Sequence, residues 1–121
     1  MKKIYYHKLI RDQIPENIKT HGGTYSIRKL KPKEFEHQLI KKVGEESDGL
    51  VSAKTRKDLV SELGDVLDVI EAIKKLKRIT TLDIVRAQRK SLKRKGWFNK
   101  HLYLVWSSDT GYRTNERTYK K

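Results

Sequence analysis

With 121 residues, 29 Lys and Arg against 15 Asp and Glu, and no cysteine, the chain has a formal net charge of +14. Such a length suits one domain with a modest core, which a partner subunit would help to complete. No apolar run near the start resembles a secretory signal and none approaches the roughly 20 residues that cross a bilayer, so a cytoplasmic protein without a membrane partner is expected.

In chain order, the first predicted element is a helix that includes "IRDQIPENI" and ends at Gly22-Gly23. "TYSIRKL" alternates enough to be a short strand or an extended arm. Pro32 suits the first turn of a second helix, along which Phe35, Leu39, Val43 and Leu50 recur. Thr55 with Asp58, and Thr80 with Asp83, read as capping boxes with Asp in place of Glu. They predict two further helices, running to about Lys77 and about Lys95. "HLYLVW" reads as a strand, followed by a turn at "SSDTG" and a polar end. No repeat or linker interrupts the sequence. The expectation is a mainly all-α bundle over residues 1–106 with a minor strand pair from the N-terminal arm and C-terminal tail, and a polar, basic, flexible tail over 107–121.

Charge is segregated. Eight of the 15 acids lie between Glu45 and Glu71, whereas Lys74 to Lys121 holds 15 cations and only Asp83, Asp109 and Glu116. At 100° per residue, Glu62 shares a helix face with Leu59, Val66, Val69 and Ile73. Asp65 flanks that stripe and Asp68 lies further round toward solvent. Glu46 falls in the sector of Phe35, Leu39, Val43 and Leu50. Two helices thus each aim a carboxylate at the core. An ionised carboxylate there needs a cation, a hydrogen-bond network or a raised pKa. A divalent ion answers this need, and Mg²⁺ prefers carboxylate and water oxygens. The alternative is a set of acids on solvated faces, paired with Lys41, Lys42 or Arg56.

"KKVGEES" followed by "SELGDVLDVI" resembles the all-α nucleoside triphosphate pyrophosphohydrolase superfamily, whose hallmark is EExxE and then ExxD. "YHKLIRDQIPENI" and "RKGWFNKHLYLVW" are similar to its small stand-alone house-cleaning branch, the MazG-like or phosphoribosyl-ATP pyrophosphohydrolase-like proteins. The resemblance covers most of the chain to about Trp106. It implies a protein that uses Mg²⁺ or Mn²⁺ to cleave a nucleotide substrate between its α- and β-phosphates; separately, a helical pair this small exposes apolar surface that a second copy could cover, so a homodimer is expected. By position the resemblance makes Glu46, Glu62 and Asp65 metal ligands, and Glu45 a ligand or the group that orients the attacking water. Glu45 and Glu46 are thus the catalytic candidates. Lys8, Arg11 and Lys95 are the substrate-binding candidates, with Asp12 beside Arg11. For Arg11 and Asp12 the alternative is an intramolecular ion pair anchoring the first helix.

Two positions depart from the pattern. Gly49 stands where EExxE has its third Glu, and Asp48 is one residue, about 100°, out of register. Gly49 leaves open a weakened site completed by water, a shifted helix that brings Asp48 in, or a catalytically degenerate relative. Trp97 replaces the second glycine of the family's Arg-Gly-Gly-Phe. Arg86, Arg89 or Lys90, and Lys93 recur along one face of the last helix, compatible with a nucleic-acid backbone track as with a solvated face.

Overall fold

The computed structural model describes residues 2–112, 114 and 116–118, and among them contains four helices: α1 (Ile14–Thr20), α2 (Pro32–Ser52), α3 (Arg56–Lys77) and α4 (Thr81–Lys95). The all-α class is therefore established. The chain divides into two compact units, Met1–Val85 and Arg86–Lys121, with the division inside α4.

Helix boundaries follow local chemistry. Pro15 stands in the first turn of α1, where its missing N–H is harmless and its fixed φ favours entry. That is why the helix begins at Ile14 and does not take in Ile10 to Gln13, which the expected helix included. Pro32 opens α2 in the same way. The Thr55 hydroxyl accepts the Asp58 N–H at 3.1 Å at the head of α3. Before α4 the box is complete: Asp83 N–H donates to the Thr80 hydroxyl at 3.1 Å, and Thr80 N–H to the Asp83 carboxylate at 2.9 Å. The Thr80 N–H first, and then the Thr80 hydroxyl, hold the Asp83 carboxyl below its ordinary value.

The expected strand pair does not form among the described residues. Residues 24–30 and 101–106 carry no ladder. In the latter, Leu102, Tyr103, Leu104, Val105 and Trp106 are all exposed. An extended run gains strand stability only from a paired neighbour, so alternation alone did not suffice. The expectation for the tail extends to residues 113, 115 and 119–121, which lie outside the described residues.

In the first unit α2 and α3 pack against each other, turned back by the short connection at residues 53–55. Leu39 of α2 and Val69 of α3 are the buried apolar side chains, both on the faces the spacing selected. At the far end from the turn, Lys77 donates to Glu36 at 2.8 Å, linking the last turn of α3 to the first of α2. Arg28 makes a two-point contact with Glu34 at 3.0 and 3.3 Å, which ties residues 24–30 to the start of α2. No helix is long and apolar enough to cross a membrane.

Candidate metal centre

The facing of α2 and α3 brings together the two acids that the wheel placed inward and Asp65, which it placed at the edge of the stripe. One carboxylate oxygen each from Glu46, Glu62 and Asp65 lies within 4.8 Å of the others, and all three residues are half-buried. Asp48 is exposed and does not join the group. Like charges so close repel one another, the more so where protein displaces water.

The cations nearby are unevenly shared. Arg11 reaches Asp65 at 3.3 Å with one nitrogen and Asp68 at 2.9 Å with the other. Lys42 lies 3.9 Å from Glu46. Glu62 has neither a hydrogen bond nor an ion pair among the described residues. Instead its carboxylate rests against the backbone of α2 at Gly49: a Cβ built there would lie 2.6 Å from Oε2 and 3.1 Å from Cδ.

Glu45 stands apart from the three. Its Oε1 accepts from Lys8 at 2.7 Å and its Oε2 from Lys42 at 3.2 Å. Partial burial pushes its carboxyl up, but the hydrogen bonds from Lys8 and Lys42 outweigh that and hold it below its ordinary value. The hydrogen bond and the charge of Glu45 raise the Lys8 ammonium in turn.

Lys42 also donates to the Leu9 carbonyl at 2.9 Å. Residues 8–11 are therefore strapped to the α2/α3 pair at three points, through Lys8, Leu9 and Arg11. Arg11 is engaged by α3, which fits the intramolecular ion pair; Asp12 is exposed.

Lys42 was legible only as a neighbour, since its i+3 and i+4 spacing to Glu45 and Glu46 is visible in sequence but its bond to Leu9 is not. Asp68, expected toward solvent, is indeed exposed, yet it serves as the second anchor for Arg11. Lys95 closes α4 in the second unit and is exposed.

Neither protein-family models, curated proteins nor solved structures give a match to this chain.

Three carboxylates from two helices fit a hard divalent cation. Oxygen ligands sit about 2.1 Å from Mg²⁺, so adjacent ones are about 3.0 Å apart; the three oxygens, now within 4.8 Å of one another, would have to draw in by side-chain rotation to share an ion. The donor set is all oxygen, which suits Mg²⁺ or Mn²⁺ and not the softer metals that prefer sulfur. A concavity of about 450 Å³ lined in part by Ala72, Lys75, Ile79 and Thr80 includes none of the triad. Among its polar groups, Lys74 donates to Glu71 at 2.9 Å and to Thr81 at 3.1 Å.

Proposed function

We propose that the chain is a Mg²⁺- or Mn²⁺-dependent nucleotide pyrophosphohydrolase, cleaving between the α- and β-phosphates of a nucleoside triphosphate or a phosphoribosyl-ATP-like substrate. The observation that carries this is the convergence of Glu46, Glu62 and Asp65 within 4.8 Å, with Glu62 lacking a hydrogen-bond or ion-pair partner among the described residues. Three clustered carboxylates with so little internal compensation favour an added cation. The similarity to EExxE and ExxD supplies the substrate class and the bond cleaved.

In this scheme Glu46, Glu62 and Asp65 hold the ion. A divalent cation there supplies an activated water and offsets charge building on the phosphoryl oxygens. Glu45 orients the attacking water, and it is kept ionised for that task by Lys8 and Lys42. To accept a proton from water, Glu45 must part from one of these ammonium groups. Lys8 and Arg11 serve the phosphates by exchanging their carboxylate partners for substrate oxygens. Only the resemblance makes Lys95, which lies in the second unit, a phosphate-binding candidate.

The partner we propose is a second copy of the chain. On α3, Val60, Leu63, Leu67 and Ile70 recur at spacings of three, four and three, and their exposures run from 39% to 61%. This stripe lies roughly 120° from the face that holds Val69. An apolar stripe of this kind is what a helical dimer covers. Leu67→Asp is expected to convert a dimer to a monomer in light scattering, whereas a monomer before substitution rules the dimer out.

The decisive assay is pyrophosphate release from a panel of nucleoside triphosphates and phosphoribosyl-ATP, with and without Mg²⁺ or Mn²⁺. Release that requires the ion and stops with chelator is expected. No release from any substrate at saturating metal rejects the hydrolase.

A second reading, a basic nucleotide- or nucleic-acid-binding protein on a catalytically degenerate scaffold, is favoured by a different observation. Residues 86–121 hold eleven Lys and Arg against Asp109 and Glu116. Arg86, Arg89, Lys90 and Lys93 on α4 are exposed and have no acidic partner among the described residues. Such a track predicts binding that weakens steeply with salt.

A further inference from the structure

The third glutamate of EExxE is replaced here by Gly49, which invites the conclusion that the chain has simply lost a ligand. The space beside Gly49 is nevertheless taken. A Cβ at this position would meet Glu62 Oε2 at 2.6 Å, Cδ at 3.1 Å and Oε1 at 3.4 Å. All three are atoms of one carboxylate, and that carboxylate belongs to the triad. Gly44, five residues earlier on the same helix, would meet nothing within 4 Å. The two glycines of α2 therefore differ in kind: one faces open space and the other is a seat.

We propose that Gly49 is a positioning residue for the metal centre: the bare backbone of α2 at this point lets the Glu62 carboxylate of α3 lie against the helix and face Glu46 and Asp65. The proposal rests on the metal-centre reading and deepens it. A side chain on residue 49 forces the Glu62 carboxylate, the far end of a flexible chain, to swing out of the space it occupies. Adding a carboxylate at 49 thus does not add a fourth ligand to an intact triad; it displaces one of the three. The site is built around a small residue at 49, and Gly49→Glu weakens it instead of restoring it.

Alanine makes a clean probe, because it is the better helix former and its methyl is the smallest addition that tests the contact. Mn²⁺ binding by titration calorimetry and thermal unfolding in EDTA would be measured for the unsubstituted chain, Gly44→Ala, Gly49→Ala and Gly49→Glu. Gly44→Ala is expected to raise Tm by about 4 °C and leave Mn²⁺ affinity unchanged. Gly49→Ala is expected to bind Mn²⁺ at least about tenfold more weakly, the scale seen when the orientation of a ligand is disturbed, and to lack the full rise in Tm. With Glu62→Ala in the same chain the obstacle is gone, so Gly49→Ala regains the rise in EDTA.

Matching behaviour of Gly49→Ala and Gly44→Ala in both measurements, or tighter Mn²⁺ binding by Gly49→Glu, overturns the proposal. Absence of Mn²⁺ uptake by the unsubstituted chain rejects the metal centre, and with it the effect of Gly49 on affinity. The thermal comparison in EDTA still reports whether the seat exists, so the two failures are distinguishable.

Discussion

The α2/α3 pair and the segment from Arg86 onward manage charge in opposite ways. In the first, cations and acids interlock: Lys8, Lys42 and Arg11 are each bonded to carboxylates on α2 or α3, and Glu62 stands out because it lacks such a partner among the described residues. In the second, Arg86, Arg89, Lys90 and Lys93 are exposed with no acidic partner among the described residues. The formal charge of +14 is thus no property of the whole molecule. An acid-centred site and a cation-rich segment share one chain, and they call for different ligands: a small divalent ion in one case, an extended polyanion in the other.

The largest effect that separates them is expected from Glu62→Gln. Removing one of three negative charges while keeping the shape should lower kcat/KM for metal-dependent pyrophosphate release by roughly a thousandfold or more, about 4 kcal/mol of transition-state stabilisation. Binding of a labelled oligonucleotide should not change. If Glu62→Gln instead leaves hydrolysis intact, the acid cluster is not the reaction centre. Next in size is Leu39→Ala. It alters no charge but hollows one of the buried positions between α2 and α3, and about 2–4 kcal/mol of stability should be lost in urea unfolding. A smaller loss would mean that the pair is held by its ion pairs more than by its apolar seam.

The cation-rich segment is tested by converting Arg89, Lys90 and Lys93 together to Gln. If these side chains meet phosphates of duplex DNA, the slope of log K against log salt should fall in magnitude by roughly 2.7, with hydrolysis unaffected. An unchanged slope would leave α4 as a merely solvated face.

How much of this could be read in the sequence varied with the range of the interaction. Local signals did well: Pro32, Thr55 and the Thr80/Asp83 box set helix ends within a turn, because capping is decided by residues three apart. The inward aim of Glu46 and Glu62, and the place of Asp65 at the edge of the stripe, also followed from periodicity, since two helices joined by a short turn have little choice of facing. What depended on distant partners was not legible. "HLYLVW" alternates like a strand but has no neighbour to pair with. Lys42 holds Leu9, 33 positions away, with nothing local to announce it. Gly49 shows the limit best: by motif it is a missing ligand, whereas its place against Glu62 depends on the approach of α3. Pro15 is the opposite case, a local start signal present in "IRDQIPENI" that the expected helix, beginning before it, did not use.

The smallest effect, and the one that probes the interlocked side directly, is the pH dependence of the strap at residues 8–11. The Glu45 carboxyl is lower in the folded chain than in the unfolded one. Its contribution to stability is therefore complete above the unfolded value, about pH 4.3, and lost as pH falls through the lower folded value. The Lys8 ammonium is raised, so its share is complete below about pH 10.4 and lost as pH rises through the folded value. The Tm difference between the unsubstituted chain and Lys8→Met should accordingly be present on a plateau between about pH 5 and pH 10 and shrink at both ends. Lys8 is exposed and salt screens such pairs, so the plateau should also flatten in 1 M NaCl. A difference that persists unchanged below pH 3 would show that Lys8 acts through its aliphatic stem and not through Glu45, and the strap would then be held by Leu9 and Arg11 alone.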